Sequence, residues 1–334
     1  MLKFAVRRLL LLIPILFGLS ILVFLFVRAL PGGPETALLG ERSTPERIAQ
    51  VRAAYGLDRP VHEQYFTYMG KVAQLDFGTS IQTQQPVAEE ISRRFKATVE
   101  LTTAAILFAV VVGIPLGFVA GRRPQSWIDN LSTVGSLLGI AIPVFVLGFL
   151  LKYVFAIKLG WFETTGRQDV TITTDHPTGF FVLDGILTGD FAASWDAVKH
   201  LVLPAAALGT IPLAIITRIT RAAVQEVSNE DFVRTAEAKG MTKPVVTRRH
   251  ILRNAMLPVV TIIGLQTGLL LSGAILTETV FAFGGLGSFM AQAVFTRDFP
   301  VIQGGILFIA VVFVIVNLLV DISYGLFDPR VRDA

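Results

Sequence analysis

The stretch LTTAAILFAVVVGIPLGFVA, residues 101–120, contains twenty successive residues without a charged side chain. The hydrocarbon core of a bilayer is about 30 Å thick, and roughly twenty apolar residues cross it as a helix. The stretch does not alternate between apolar and polar residues, as a membrane-barrel strand would. It therefore predicts a membrane-spanning helix.

Five further uncharged runs have similar lengths, at residues 9–27, 131–151, 201–217, 254–277 and 300–320. The shortest is 201–217, and Arg218 and Arg221 can extend it because their long side chains reach the headgroups. Of the 334 residues, 53% are hydrophobic and 16% are charged, whereas a soluble domain carries about 25% charged residues. We predict an all-α integral membrane protein with six transmembrane helices.

The first run resembles a signal peptide in its basic start, which contains Lys3, Arg7 and Arg8. Its apolar part is longer than the usual 7–15 residues of a signal peptide. The following residues, Arg28-Ala29-Leu30-Pro31, offer no small-x-small cleavage site. We expect this run to be retained as the first span.

Basic residues concentrate at alternate ends of the spans, which predicts orientation because cytoplasmic loops are enriched in lysine and arginine. The link 158–199 has three basic residues against six acidic ones, and 281–303 has Arg297 balanced by Asp298. Both termini are therefore predicted to be cytoplasmic. The basic positions on that side are Lys3, Arg7, Arg8, Arg122, Arg123, Arg218, Arg221, Arg234, Lys239, Lys243, Arg248, Arg249, Arg253, Arg330 and Arg332.

This orientation divides the chain into three parts. Residues 1–30 form the cytoplasmic start and first span, 31–96 an extracytoplasmic helical segment, and 97–334 the core with the other five spans. Apolar periodicity predicts three helices in 31–96. The first contains Ile48, Val51 and Tyr55 and ends at Gly56, the second follows Pro60, and the third runs from Pro86 into the second span. The segment is either an outer cap that meets a partner or a set of helices on the membrane surface.

The cytoplasmic loop 223–256 has internal order. Ser228 and Asp231 resemble a capping box, which predicts a helix of about eleven residues that ends at Gly240. Thr242 and Pro244 then predict the start of a second helix. Phe232, Val233 and Ala236 would be exposed on the first helix, and an exposed apolar face usually marks a protein contact. The alternative is an ordinary basic loop at the lipid headgroups.

Motifs for chemistry are missing from the sequence. There is no G-x-x-x-x-G-K-[ST] loop for ATP, no H-E-x-x-H, and no cysteine, and the four histidines are scattered. Glu100, Lys152, Glu278 and Asp321 lie at span ends and not near a midplane, which disfavours an ion-coupled carrier. We expect Glu278 to be a carboxylate at headgroup level.

Several motifs together resemble the permease subunits of ATP-binding-cassette importers for dipeptides and oligopeptides. They are ALPGGP at 29–34, YGLDRP at 55–60, LDFGTS at 75–80, HLVLP at 200–204, DFVRTAEAKG at 231–240, RRHILRNAMLP at 248–258, RDFPVIQG at 297–304 and DISYGLFDPRVR at 321–332. The resemblance covers essentially the whole chain. The stretch around 166–190 is less typical and leaves contacts on the outer face open.

The resemblance implies a type I importer permease in the inner membrane of a prokaryote. Such a subunit pairs with a homologous second permease, two ATPase subunits and an extracytoplasmic substrate-binding protein, and contacts lipid but no nucleic acid. ATP and Mg would bind to the ATPases, with no catalytic residue, metal or cofactor on this chain. The residues implied to couple to an ATPase are Phe232, Val233, Arg234, Thr235, Ala236, Lys239 and Gly240. The competing interpretations are an ATPase-independent channel or secondary carrier, and a membrane anchor or assembly factor.

Overall fold

The computed structural model describes residues 2–29, 44, 46, 49, 52–53, 58–271 and 274–327, with side chains described between residues 13 and 319 of these ranges. These residues form a helical protein. The helices are α1 (Leu2–Ala29), α2 (Val61–Val72), α3 (Val87–Arg122), α4 (Trp127–Ala141), α5 (Val144–Leu151), α6 (Phe181–Leu187), α7 (Phe191–Ser228), α8 (Asp231–Ala238), α9 (Lys243–Val245), α10 (Arg253–Leu271), α11 (Ile275–Val280), α12 (Leu286–Thr296) and α13 (Phe299–Phe327). Two π-helical segments extend this set, Lys152–Lys158 after α5 and Val246–Leu252 between α9 and α10.

Each of the six uncharged runs is helical over most of its described residues, but they do not all form single straight spans. Four helices of the described chain are long and apolar enough to cross a membrane: Val87–Arg122, Phe191–Ser228, Lys243–Leu271 and Phe299–Leu319. A fifth crossing is possible if α4 and the helix Val144–Lys158 together form one span. The described apolar part of α1, Ile13–Ala29, is shorter.

The third run bends by 103° between α4 and α5. Ile142 has extended backbone angles, and Pro143 is the N-cap of α5. Proline disfavours the helical conformation of the residue before it and has no N–H to donate. The predicted span over 131–151 therefore consists of two helices joined by a sharp bend.

The centre of the fold is the pair α3 and α7, which make more contacts with each other than any other two helices. Small residues on α3, spaced four apart, allow this approach: Ala105, Ala109, Gly113, Gly117 and Gly121 are all buried. A Cβ atom at Gly117 would lie 2.5 Å from the carbonyl oxygen of Thr217 on α7. Close packing of small residues is how helices associate without a hydrophobic driving force in lipid.

The remaining long helices surround this pair. Helix α10 packs on α7 and α13, and α13 also packs on α1. At the start of α3, Val27, Ile91, Phe289 and Ile302 share one buried apolar cluster. This cluster ties the segment after α2 to the end of α1 and to α12 and α13.

Two of the three helices predicted in 31–96 are confirmed. Helix α2 begins after Pro60, and α3 begins after Pro86. The Tyr65 hydroxyl of α2 lies 2.7 Å from Ser20 Oγ on α1, so α2 packs against the first helix. The first predicted helix is not tested, because its defining residues Ile48, Val51, Tyr55 and Gly56 lie outside the described residues.

Glu278 is completely buried inside the protein, so its carboxylate is not exposed to headgroups or water. Its carboxylate accepts hydrogen bonds from the Thr98 hydroxyl, at 2.6 Å, and from the Ser288 N–H, at 2.7 Å. Ser288 belongs to the first turn of α12, where free N–H groups and the helix dipole favour a negative charge. Glu278 is therefore the capping carboxylate of α12.

Candidate coupling site

Helix α7 runs directly into the loop that the sequence singles out. It continues through Ser228, and Glu230 is the N-cap of α8 without a side-chain capping bond. The predicted capping role of Ser228 is therefore wrong. Ala223 and Val224, in the last turns of α7, are buried against neighbouring helices, which favours continuing the helix through this region. The short helix α8 accordingly begins at Asp231, and not at 228.

The end of α8 matches the prediction. Gly240 has a φ of +77°, and its N–H donates to the Glu237 carbonyl at 2.9 Å. The Met241 N–H donates to the Ala236 carbonyl at 3.3 Å. This pair of bonds is the Schellman arrangement, in which glycine takes the left-handed conformation without a steric penalty. The chain then turns into α9, with Thr242 as its N-cap and Pro244 in its first turn.

Two residues predicted to be exposed on α8 are buried. Val233 and Ala236 are 2% and 4% exposed. The α9–α10 region folds back against the end of α7, so the apolar side of α8 packs on residues of the same chain. The buried cluster comprises Ala223, Val224, Val233, Ala236, Val246, Ile251 and Ala255. The prediction of three uncovered apolar residues is therefore correct only for Phe232.

The outward side of α8 carries the other predicted residues. Phe232 is 42% exposed, and Arg234, Thr235, Lys239 and Gly240 are exposed as well. Arg234 Nη1 lies 3.5 Å from Asp231 Oδ1, a surface ion pair of the kind worth about 0–1 kcal/mol. This surface therefore combines one aromatic side chain with charged and small polar groups.

The structure adds two apolar side chains that sequence reasoning missed. Met241 and Val245 are each about as exposed as Phe232. Next to them an open cavity of about 640 Å³ is lined by Pro244, Val245, Arg248 and Arg249. Periodicity could not find these residues, because Met241 lies in the break between two helices. The surface formed by Phe232, Arg234, Thr235, Lys239, Gly240, Met241 and Val245 is called the coupling surface below.

A partly buried ion pair holds the C-terminal part of α7 to α4. The Arg221 guanidinium makes a bidentate contact with Asp129, with Nη2 to Oδ2 at 2.8 Å. Asp129 also accepts from the Gln125 N–H, and its own N–H donates to Ser126 Oγ. This arrangement at the start of α4 resembles a capping box, visible in the sequence as Ser126-x-x-Asp129, except that the carboxylate accepts from the residue before the N-cap. A planar, two-bond contact fixes both partners more firmly than a single ion pair does.

Comparisons with known proteins identify the family of this chain. The family described as the binding-protein-dependent transport system inner membrane component matches residues 113–333. The N-terminal family of the same membrane components matches residues 1–102. The chain belongs to these transport-system membrane components. Its several apolar helices agree with a multi-pass membrane protein of this family.

Curated members of the family are similar along the whole chain. A dipeptide transport system permease protein of Alkalihalophilus pseudofirmus is 45% identical over 332 residues, which is 99% of this chain and 100% of the relative. A di/tripeptide transport system permease protein of Pseudomonas aeruginosa is 44% identical, with 99% of both chains covered. A glutathione transport system permease protein of Escherichia coli is 40% identical, again with 99% of both covered.

Proposed function

We propose that this chain is a membrane permease subunit of an ATP-driven importer for peptides or a peptide-like solute. The observation that carries the proposal is the full-length identity of 45% and 44% to permeases named for dipeptides and di/tripeptides. The glutathione permease is less similar, at 40%, and glutathione is itself a small peptide-like solute. All three named cargoes are short and peptide-like.

The proposal includes six spans with both termini in the cytoplasm. The distribution of basic residues supports this orientation, because the α7–α10 loop is rich in arginine and lysine. In this arrangement the first span is α1, and the bent pair α4 and α5 crosses as the third. The segment before α3 and the stretch between α5 and α7 then lie outside, and α8 lies in the cytoplasm.

The coupling surface is the proposed contact with an ATPase subunit. Phe232 is the natural anchor for a pocket on the partner, since exposed aromatic side chains dominate protein contacts, while Arg234, Thr235, Lys239 and Gly240 surround it. Val233 and Ala236 have the complementary role of fixing α8 to the end of α7 and to α10. A displacement of α8 by the ATPase would therefore move α7 and α10 with it, because interiors are close-packed and transmit strain.

The partners follow from the same proposal. ATP and Mg would be held by two ATPase subunits, since the sequence has no P-loop. A second, homologous permease would complete the pathway, and an extracytoplasmic binding protein would deliver the solute. The name of the matching family, which refers to a binding protein and an inner membrane, supports this composition.

Reconstitution tests the proposal directly. Proteoliposomes that contain the chain, its second permease and both ATPases should accumulate a radiolabelled dipeptide only with ATP and the binding protein present. Unlabelled di- and tripeptides should compete, and a non-hydrolysable ATP analogue should stop uptake. Uptake by the chain alone, without ATPases, would instead establish a channel or secondary carrier. Failure of the ATPases to co-purify with the chain would also contradict the proposal.

A further inference from the structure

Large apolar side chains are exposed on α6 and at the start of α7. Helix α6 exposes Leu183, Ile186 and Leu187, which share one helix face by their spacing, and Leu187 is 61% exposed. At the start of α7, Phe191 and Trp195 are 69% and 63% exposed. A contiguous exposed apolar surface marks a site of contact with a protein, a ligand or a membrane.

Two charged groups of the segment between α5 and α7, Asp184 and Arg167, point inward. Asp184 of α6 is completely buried and accepts hydrogen bonds from the Thr178 hydroxyl and N–H and from the Gly179 N–H. Arg167 donates to Glu100 of α3 at 2.5 Å, and the Glu100 carboxylate also accepts from the Val182 N–H. Polar contacts shielded from solvent therefore hold the segment to Glu100, which lies just before the uncharged run of α3.

Helices α6 and α7 form a tight hairpin, called the outer hairpin here and covering residues 181–195. Ser194 Oγ donates to the Val182 carbonyl at 2.8 Å, and a Cβ atom at Gly185 would lie 2.5 Å from the Ser194 nitrogen. The two helices therefore touch through their small residues. Their apolar side chains are left on the outside.

The length of α7 sets the depth of this hairpin. Its 38 residues extend about 57 Å, whereas a bilayer with its headgroups measures about 40–45 Å. The charge-free part of α7 begins at Leu201, so Trp195 lies six residues before it, about 9 Å along the axis. This is the depth of the headgroups, beyond the hydrocarbon core.

The tryptophans give a second, independent indication of depth. The chain has three, and all three are strongly exposed: Trp127 begins α4, Trp161 follows the π-helical segment after α5, and Trp195 lies in the second turn of α7. Each therefore stands at an end of an apolar helix. Tryptophan is enriched where membranes meet water, because its ring is apolar and its N–H is polar.

We propose that the outer hairpin lies in the outer headgroup layer, with its apolar side against lipid. The inference rests on the proposed orientation, in which this segment is outside. The apolar side chains continue the lipid-facing surface of the spans to headgroup depth, while the inward Asp184, Glu100 and Arg167 keep the hairpin fixed to α3. Lipid then holds the outer end of α7, the helix whose other end carries α8.

Spin labels can measure this depth because the chain has no native cysteine. We would place single labels at Leu187→Cys and Trp195→Cys in the full chain, reconstituted in lipid nanodiscs alone and then with the proposed partners. The references are Val170→Cys, which is 97% exposed on the loop before α6, and Val111→Cys, exposed in the middle of α3. The ratio of collisions with oxygen to collisions with a water-soluble nickel chelate reports depth.

The labels at 187 and 195 should give ratios between those of the two references, both without and with partners. Ratios equal to that at 170 in the chain alone would overturn the proposal, because the hairpin would then face water. Loss of access to both oxygen and nickel on adding the partners would also overturn it, because a protein would then cover the hairpin. Uptake by the same labelled variants in proteoliposomes with the partners reports the proposed function separately. If the hairpin faces water and uptake is normal, only the proposed lipid contact is refuted.

Discussion

Thr98 and Glu278 are 180 residues apart in the sequence, and the Thr98 hydroxyl donates to the Glu278 carboxylate over 2.6 Å in the interior. The same hydroxyl oxygen accepts the Leu286 N–H at 2.8 Å. Thr98 therefore links α3 to both α11 and the first turn of α12. Both residues are essentially inaccessible to solvent, so neither bond has water to replace it.

Thr98→Val should destabilise the protein, because valine keeps the shape but leaves the Leu286 N–H and one oxygen of Glu278 without a partner. Leaving a buried polar group unsatisfied costs about 1–3 kcal/mol. Thermal unfolding of the purified chain in detergent should show a lower midpoint. Thr103→Val is the control, since Thr103 is exposed on the same helix and its replacement should change little. Equal midpoints for the two variants would contradict the assigned role of Thr98.

Gly285→Ala should be destabilising for a different reason, lack of space. A Cβ atom at Gly285 would lie 2.3 Å from the carboxyl carbon and Oε1 of Glu278. Overpacking of this kind costs about 1–3 kcal/mol. Gly135→Ala, inside α4 with nothing within 4 Å of the new atom, should instead be neutral or stabilising because alanine favours the helix. The unfolding midpoints of the two variants should therefore move apart, and a shift of the same size and sign in both would refute the steric explanation.

Much of the fold could be predicted from the sequence, because the length of an uncharged run depends only on neighbouring residues. Each uncharged run is helical over most of its described residues, and the starts of α2 and α3 follow Pro60 and Pro86 as expected. The presence of Pro143 alone does not predict the sharp bend at Ile142. Other prolines, such as Pro115 and Pro204, lie inside continuous helices, and local sequence does not distinguish the two outcomes.

The errors arose where distant residues decide burial. Val233 and Ala236 are covered only because residues 246–255 fold back on the end of α7. Glu278 is buried because Thr98 and the N-terminus of α12 meet it. Two motifs quoted separately in the sequence, at 75–80 and 297–304, are likewise in contact, since Ser80 Oγ donates to Asp298 at 2.6 Å. None of these pairings leaves a periodic signal in the chain.

The outer hairpin should loosen in acid, because it depends on the Asp184 carboxylate. Burial raises the pKa of Asp184, but hydrogen bonds from the Thr178 hydroxyl and N–H and the Gly179 N–H outweigh it, and the net pKa is below its usual 3.8. A lowered folded-state pKa stabilises the fold above the unfolded pKa, and this contribution is lost as the pH falls through the folded pKa. The protection of residues 178–187 from hydrogen exchange, relative to the intrinsic rate at each pH, should therefore be high near neutral pH and fall below about pH 4.

The Asp184→Asn variant provides the test of that assignment. It should exchange quickly in the same residues already at neutral pH and show little further change in acid. Asp175→Asn, at an exposed position of the same loop, should behave like the unmodified protein. Unchanged protection in Asp184→Asn would show that another group fixes the hairpin.

Gly240→Val should uncouple the protein without preventing its insertion. No atom lies within 4 Å of a Cβ at Gly240, so the effect comes only from the backbone, whose φ of +77° disfavours a branched side chain by about 1–2 kcal/mol. Such a strain is enough to displace the end of an eight-residue helix. Asparagine tolerates this conformation, so Gly240→Asn should keep most ATP-driven uptake at equal membrane levels. Full uptake with valine would show that the turn is not needed for coupling.

Single cysteines can map the coupling surface against the buried side of α8. Phe232→Cys and Thr235→Cys should react with a water-soluble maleimide in the purified chain, because both positions are exposed. Val233→Cys and Ala236→Cys should react slowly, because both positions are at most 4% exposed and a thiol must reach water as its thiolate to react. Addition of the ATPase subunits should then protect 232 and 235. Thr79→Cys, exposed on the proposed outer side, should react equally with and without ATPases.

If the cysteines at 233 and 236 react as fast as the cysteine at 232, α8 is not packed on α7 and α10. If the ATPases bind and leave 232 and 235 reactive, the contact lies elsewhere on the cytoplasmic loop.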